Sequence, residues 1–207
     1  VRGVPTSFRA PLYPAFLAAI YSLSGTGFGR FLAARLAQAI LLGAPLAPLT
    51  YLAARRVLPG QESAARAAGW AVAAYPMLLL YPLGLGTENL FFLLLLASVI
   101  LLLKAADQPI PLNFVLSGFL LGLTALTRSV ILPFACLAMV WAWWRLKQLR
   151  GAILIGAGAS VILAADQFRF PPPWISWAAM SVVVGGAAII AAGLVGYLLP
   201  RMMEMSV

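Results

Sequence analysis

Glu88 and Arg128 are the residues whose chemistry stands out most from their surroundings. Glu88 sits in GLGTENLFF, where Thr87, Glu88 and Asn89 come together just before a long apolar run. A carboxylate there could take a proton from an incoming hydroxyl group. It could also be part of a helix start, with Thr87 as N-cap and Glu88 favoured by the positive end of the helix dipole. Arg128 interrupts LGLTALTRSVILP, an apolar stretch in which a charge is costly. Its planar fork suits a phosphate or diphosphate group. Alternatively, the side chain reaches out to the interface and meets lipid phosphates without specificity. Arg9 precedes APLYP, in which two prolines stiffen the backbone and Tyr13 offers a hydroxyl. A solvated loop arginine is the plain alternative for Arg9.

Other chemistries find little material. There is no histidine, the five acids are dispersed, and Cys136 is the single cysteine, so neither an internal disulfide nor a conventional metal site can be assembled. No cofactor is identifiable, and a divalent metal is left open. Glu62, Asp107 and Glu204 read as surface charges, and Asp166 with Arg169 as a local ion pair. Gly118 and Gly122 form a GxxxG pair, a pattern of close helix packing.

The elements that must position these residues follow from composition. With 63% hydrophobic and 9% charged residues and a mean hydropathy of +1.00, the chain is far too apolar for an ordinary soluble domain. Divided by the roughly 20 residues that one bilayer-spanning helix needs, its length gives about seven spans. The expected fold is all-α, a polytopic transmembrane helix bundle of about seven spans plus one interfacial helix. The interfacial helix is PAFLAAIYSL, too short to cross, and Gly25, Gly27 and Gly29 end it. The spans are expected at about 31–54, 67–83, 90–103, 113–127, 129–144, 151–165 and 174–199. The whole of 1–207 reads as a single transmembrane domain: a periplasmic loop with the interfacial helix over 1–30, the bundle over 31–199, and a cytoplasmic tail over 200–207.

The formal charge of +9 comes from basic residues scattered at the ends of apolar runs, which marks topology rather than nucleic-acid binding. Arg55, Arg56, Arg66, Lys104, Arg145, Lys147, Arg150 and Arg201 gather at one surface, taken as cytoplasmic because basic loops stay on that side. The opening loop, Glu88, Arg128 and Asp166 then face outward, and the C-terminus lies in the cytoplasm.

The order FRAPLYPAFLAAIYSLSG, RFLAARLAQAILLGAPLAPLTYLAARRVLPG, AAYPMLLLYPLGLGTENLFFLLLLAS and GFLLGLTALTRSVILP resembles bacterial protein mannosyltransferases and aminoarabinose transferases. These are membrane glycosyltransferases of fold C that use polyprenyl-phosphate sugars. The likeness runs from about Arg2 to Trp144, roughly two thirds of the chain. It implies a multi-pass protein of the bacterial inner membrane whose site faces the periplasm, with membrane lipid and a polyprenyl-phosphate sugar as partners. By position, Glu88 matches the family's acidic residue at the start of this helix and would be catalytic. Arg128 matches the basic residue ending the GLxxGLxxLTR helix, and Arg9 with Tyr13 matches the loop before the first span. Together with Asn89 these would bind substrate and phosphate. Family members carry a further helix and an acidic loop upstream, so the chain is expected to be a fragment of a transferase or a degenerate relative. The alternative is a non-catalytic subunit that packs against other membrane subunits. A small transporter fits less well, because paired intramembrane charges are missing.

Overall fold

The computed structural model describes residues 10–144, 146–147 and 149–167, with all side chains in these ranges except those of 79 and 163–167. Every regular element among the described residues is helical. The chain opens with α1, Leu12–Ser24, a helix of 13 residues that spans about 20 Å and ends where Gly25 turns to φ 76°. Next come α2, Gly29–Ala37, a π-helical turn at Gln38–Gly43, and α3, Leu46–Val57, which run on as one path of 29 residues. The turn at Pro59 and Gly60, with Gly60 at φ 82°, leads into α4, Glu62–Ala73.

The span expected over 67–83 is not one helix. It breaks at Tyr75, whose backbone is extended, and restarts as the short α5, Pro76–Leu80. Proline explains the break, since Pro76 lacks an N–H and its ring pushes the preceding residue out of the helical region.

Helix α6, Glu88–Asp107, and helix α7, Pro111–Ala125, follow. The long apolar run divides at Arg128, where the backbone is extended at φ −150° and ψ 118°. A single 3-10 turn, Ser129–Ile131, leads into α8, Leu132–Trp144, and α9 is Leu149–Gln167. Two stretches, Gly29–Val57 and Glu88–Asp107, are long and apolar enough to cross a membrane. Apolar helices of 10–17 residues occupy Leu12–Ser24, Pro111–Ala125, Ser129–Trp144 and Leu149–Ile162. The spans expected beyond 167, the residues Arg2, Arg169, Arg201 and Glu204, and the side chain of Asp166 lie outside the described residues.

Helices α7 and α9 run parallel in backbone contact. Phe114 covers Gly151, Gly118 faces Ile155 and Gly122 faces Ala159, each step four residues on along both helices. A Cβ on Gly118 would land on the Ile155 carbonyl, and one on Gly158 would meet the Val115 carbonyl. The GxxxG pair is therefore a packing device, as small residues allow. Helix α6 lies antiparallel to α7, and the Ser117 hydroxyl donates to the Ser98 carbonyl across them at 3.1 Å. Phe91, Leu102, Phe114, Leu121, Ile131 and Ile155 fill the common core. The Leu12 amide donates to the Leu126 carbonyl at 3.2 Å and ties the start of α1 to the end of α7.

Charges separate to the two ends of α6, about 30 Å apart. Glu88 marks one end. At the other, Arg56 meets Asp107 at 2.7 Å, and Glu62 accepts from Tyr51 at 2.6 Å and pairs with Arg55 at 3.4 Å.

The packing of α7 on α9 carries a prediction. Gly118→Ala should destabilise the bundle by about 1–3 kcal/mol through overpacking, in spite of alanine's better helix propensity. Gly84→Ala, whose Cβ would meet nothing closer than 3.8 Å, should stay within about 0.5 kcal/mol of wild type. Thermal unfolding of both variants in detergent micelles checks this.

Candidate functional site

Three chain segments meet at the Glu88 end of the bundle: the first turn of α6, the break after α7, and the flank of α1. Glu88 is the first residue of α6, and Arg128 follows the end of α7 by three residues. The Arg128 Nη2 donates to Glu88 Oε1 at 2.5 Å, and its Nε donates to Thr87 Oγ1 at 3.2 Å. Its guanidinium carbon also lies 6.0 Å from the centre of the Phe91 ring, close enough for a cation–π contact. The Thr87 hydroxyl thus serves the arginine. Thr87 does occupy the cap position of α6, but with helical backbone angles and no capping hydrogen bond from its side chain.

Glu88 folds back over Gly86, where a Cβ would collide with Oε2. A side chain at 86 would make the carboxylate move aside. The Glu88 side chain is 21% exposed and that of Arg128 46%, so the pair sits at a wall rather than in the core. The wall belongs to a cleft of about 670 Å³. Gly86, Thr87, Glu88 and Arg128 form its polar side, while Pro14, Leu17 and Ala18 of α1 form an apolar one, with Tyr13 and Tyr21 between. Arg30 lies behind Tyr21, its guanidinium 5.4 Å from the ring centre.

Tyr13 is buried, and its hydroxyl donates to Gln38 Oε1 at 2.8 Å. Burial pushes the phenol from 10.0 up to about 12, with Tyr21 and Glu88 adding to the rise. Gln38 is fully buried in the π-helical turn, and its Nε2 donates to the Gly86 carbonyl at 2.8 Å and, more weakly, to the Tyr81 carbonyl at 3.5 Å. One amide therefore links α1 to the loop that carries Glu88.

The sequence-derived candidates separate in space. Glu88, Arg128 and Tyr13 meet at the cleft. Asn89 does not: it is fully buried, packs against Gly43, and neither of its amide atoms has a partner among the described residues. Arg9 lies outside the described residues. Gln38 and Gly86 were not singled out from sequence. Gln38 had a usable signal, because an amide inside an apolar span is costly and so a functional candidate. Gly86 had none, since its role comes from where the Glu88 side chain folds.

Among the described residues no three His, Cys, Asp or Glu side chains come together to hold a metal. Among the described residues Glu88 is the one carboxylate in the cleft lining. Comparison with family models, with curated proteins and with solved structures finds no match to the chain. The chemistry of the cleft rests on its own residues.

Tyr13 gives the cleft a measurable signature. A phenol whose folded value lies above its unfolded one contributes stability that is complete below pH 10 and is lost as the pH climbs towards 12. Ultraviolet titration should show one tyrosine ionising late, and Tyr13→Phe should remove that step.

Proposed function

We propose that this chain is a multi-pass protein of the bacterial inner membrane, with a cytoplasmic C-terminus, and that its cleft transfers a sugar from a polyprenyl-phosphate donor to a periplasmic acceptor. The carrying observation is the Glu88–Arg128 pair in the lining of a cleft that Pro14, Leu17 and Ala18 of α1 also line with apolar surface. Such a cleft suits a ligand with an anionic head and a hydrocarbon tail.

The two long apolar helices support the membrane reading, since only 17% and 28% of their most apolar stretches are buried within the protein. A soluble core helix would be covered. Large exposed side chains such as Phe28, Trp70, Val130 and Leu137 extend the same surface. In this setting the donor phosphate takes the N–H groups of the Arg128 fork that Glu88 and Thr87 leave free. The acceptor hydroxyl oxygen forms a bond to the anomeric carbon, and the bond from that carbon to the phosphate oxygen breaks. The electron pair leaves with the phosphate, which Arg128 stabilises, and the hydroxyl proton passes to Glu88.

A second reading, a non-catalytic membrane subunit seated among others, is favoured by one observation. Among the described residues, the single carboxylate lining the cleft is already engaged by an arginine.

Transfer from a labelled polyprenyl-phosphate sugar by the protein in lipid vesicles tests the proposal. Glu88→Gln should lower turnover by about 10²–10⁴-fold and keep donor binding. Arg128→Ala should lose about 10²–10³-fold in turnover and weaken donor binding as well. Wild-type turnover in both variants, or no transfer by the wild type, removes the transferase reading. Stable co-purification with other membrane subunits would then favour the second.

A further inference from the structure

The geometry points to Gln38 as the positioning residue of the cleft: through one buried amide it holds the Gly86–Glu88 corner against Tyr13 of α1. This goes beyond the transferase reading, because it concerns how the corner is held and applies to whatever the cleft binds.

Gln38 has no exposed surface, and in an apolar bundle an unpaired amide of this kind costs far more than an apolar side chain. Its polar atoms are used on both sides. Oε1 accepts from Tyr13 at 2.8 Å, and Nε2 donates to Gly86 at 2.8 Å and to Tyr81 at 3.5 Å. The segment it grips, residues 81–87, is a run of turns between α5 and α6 with no helix ladder of its own. Leu85 stands in this run at φ 50°, an uncommon conformation for a non-glycine residue. Gly86 is where the grip ends and where the Glu88 carboxylate rests, so a carbonyl held by Gln38 fixes the floor beneath the acid.

Gln38 opens the π-helical turn and continues the buried face of Ala34; Leu42, four residues on, turns inward with it, while Ile40 and Leu41 face out. Gln38 makes no hydrogen bond to Arg128, whose own bonds run to Thr87 and Glu88 on the far side of the same corner.

Two variants and two readouts test the inference. Gln38→Leu keeps the bulk and loses every hydrogen bond. Gln38→Met keeps the length and offers Tyr13 only a weak sulfur acceptor, with no donor for Gly86. In both, amide exchange over 81–88 should quicken about tenfold, while α7 and α9 keep their protection. This readout needs no activity, so it stands even where the wild type transfers nothing. Where the wild type is active, kcat should fall about 100-fold and by more than the donor KM rises, because the acid shifts most and Arg128 is held to it by one end only. Unchanged exchange over 81–88 in Gln38→Leu overturns the inference. So does faster exchange spread equally over α7 and α9, which would make Gln38 a general packing residue. Wild-type exchange and kcat in Gln38→Met would overturn it too, because the amide donor would then be dispensable.

Discussion

The backbone contact between α7 and α9 at Gly118, Gly122 and Gly158 is the constraint on which the rest of the described structure depends. Small residues at a helix–helix contact let two backbones approach closely, and the gain is close van der Waals packing. Three glycines bring two backbones into touch and fix their register. With α7 set, α6 follows, held by the Phe91–Phe114–Leu121 core and by the Ser117 to Ser98 hydrogen bond. The end of α7 then stands beside the start of α6. Arg128 meets Glu88 there because packing delivers both, not because their attraction gathers the helices. A half-exposed ion pair is worth at most about 1 kcal/mol, too little to organise a bundle.

Polar groups inside the bundle show a second constraint. Each must find a partner within the protein or remain a liability. Ser98, Thr124 and Thr127 settle theirs locally, donating to carbonyls three or four residues back in their own helices. Gln38 cannot do so and reaches across to two other segments. Its bonds thereby join parts of the chain that packing alone leaves loosely related, namely α1 and the 81–87 turns. Asn89 is the contrasting case, fully buried with neither amide atom partnered among the described residues. Gly43 comes so near its Nδ2 that the π-helical turn and the first turn of α6 are in direct contact at that amide.

How far this was legible in the sequence varied with the kind of signal. A charge in an apolar run is conspicuous, so Arg128 and the helix break around it could be read, and so could Glu88 ahead of a leucine-rich helix. Glycines spaced by four announced the α7 contact, although not its partner, which lies 37 residues away at Ile155. The break at Tyr75 was available in principle from the restriction that Pro76 places on its neighbour. Hydropathy hid it, since the apolar run continues through the proline. The π-helical turn leaves no periodic mark in six residues, QAILLG, although Gln38 itself shares the four-residue spacing of the buried Ala34, Leu42 and Leu46. Tyr13 was found by its loop context, but its bond to Gln38 joins residues 25 positions apart that no local pattern connects.

The distribution of charge along α6 links these observations to what the cleft can accept. Its N-terminus carries Glu88 and its last turn Lys104, each on the side that the helix dipole favours. At the Lys104 end, Glu62 and Asp107 meet three arginines, Arg55, Arg56 and Arg66, and cations remain in excess. At the other end one acid meets one arginine, so the described wall of the cleft is close to neutral while the pair is intact. A neutral wall beside an apolar face is a cheap resting state next to hydrocarbon, because neither charge stands alone. An anion that engages the outer N–H groups of Arg128 adds a second negative partner to the same guanidinium and loosens its hold on Glu88.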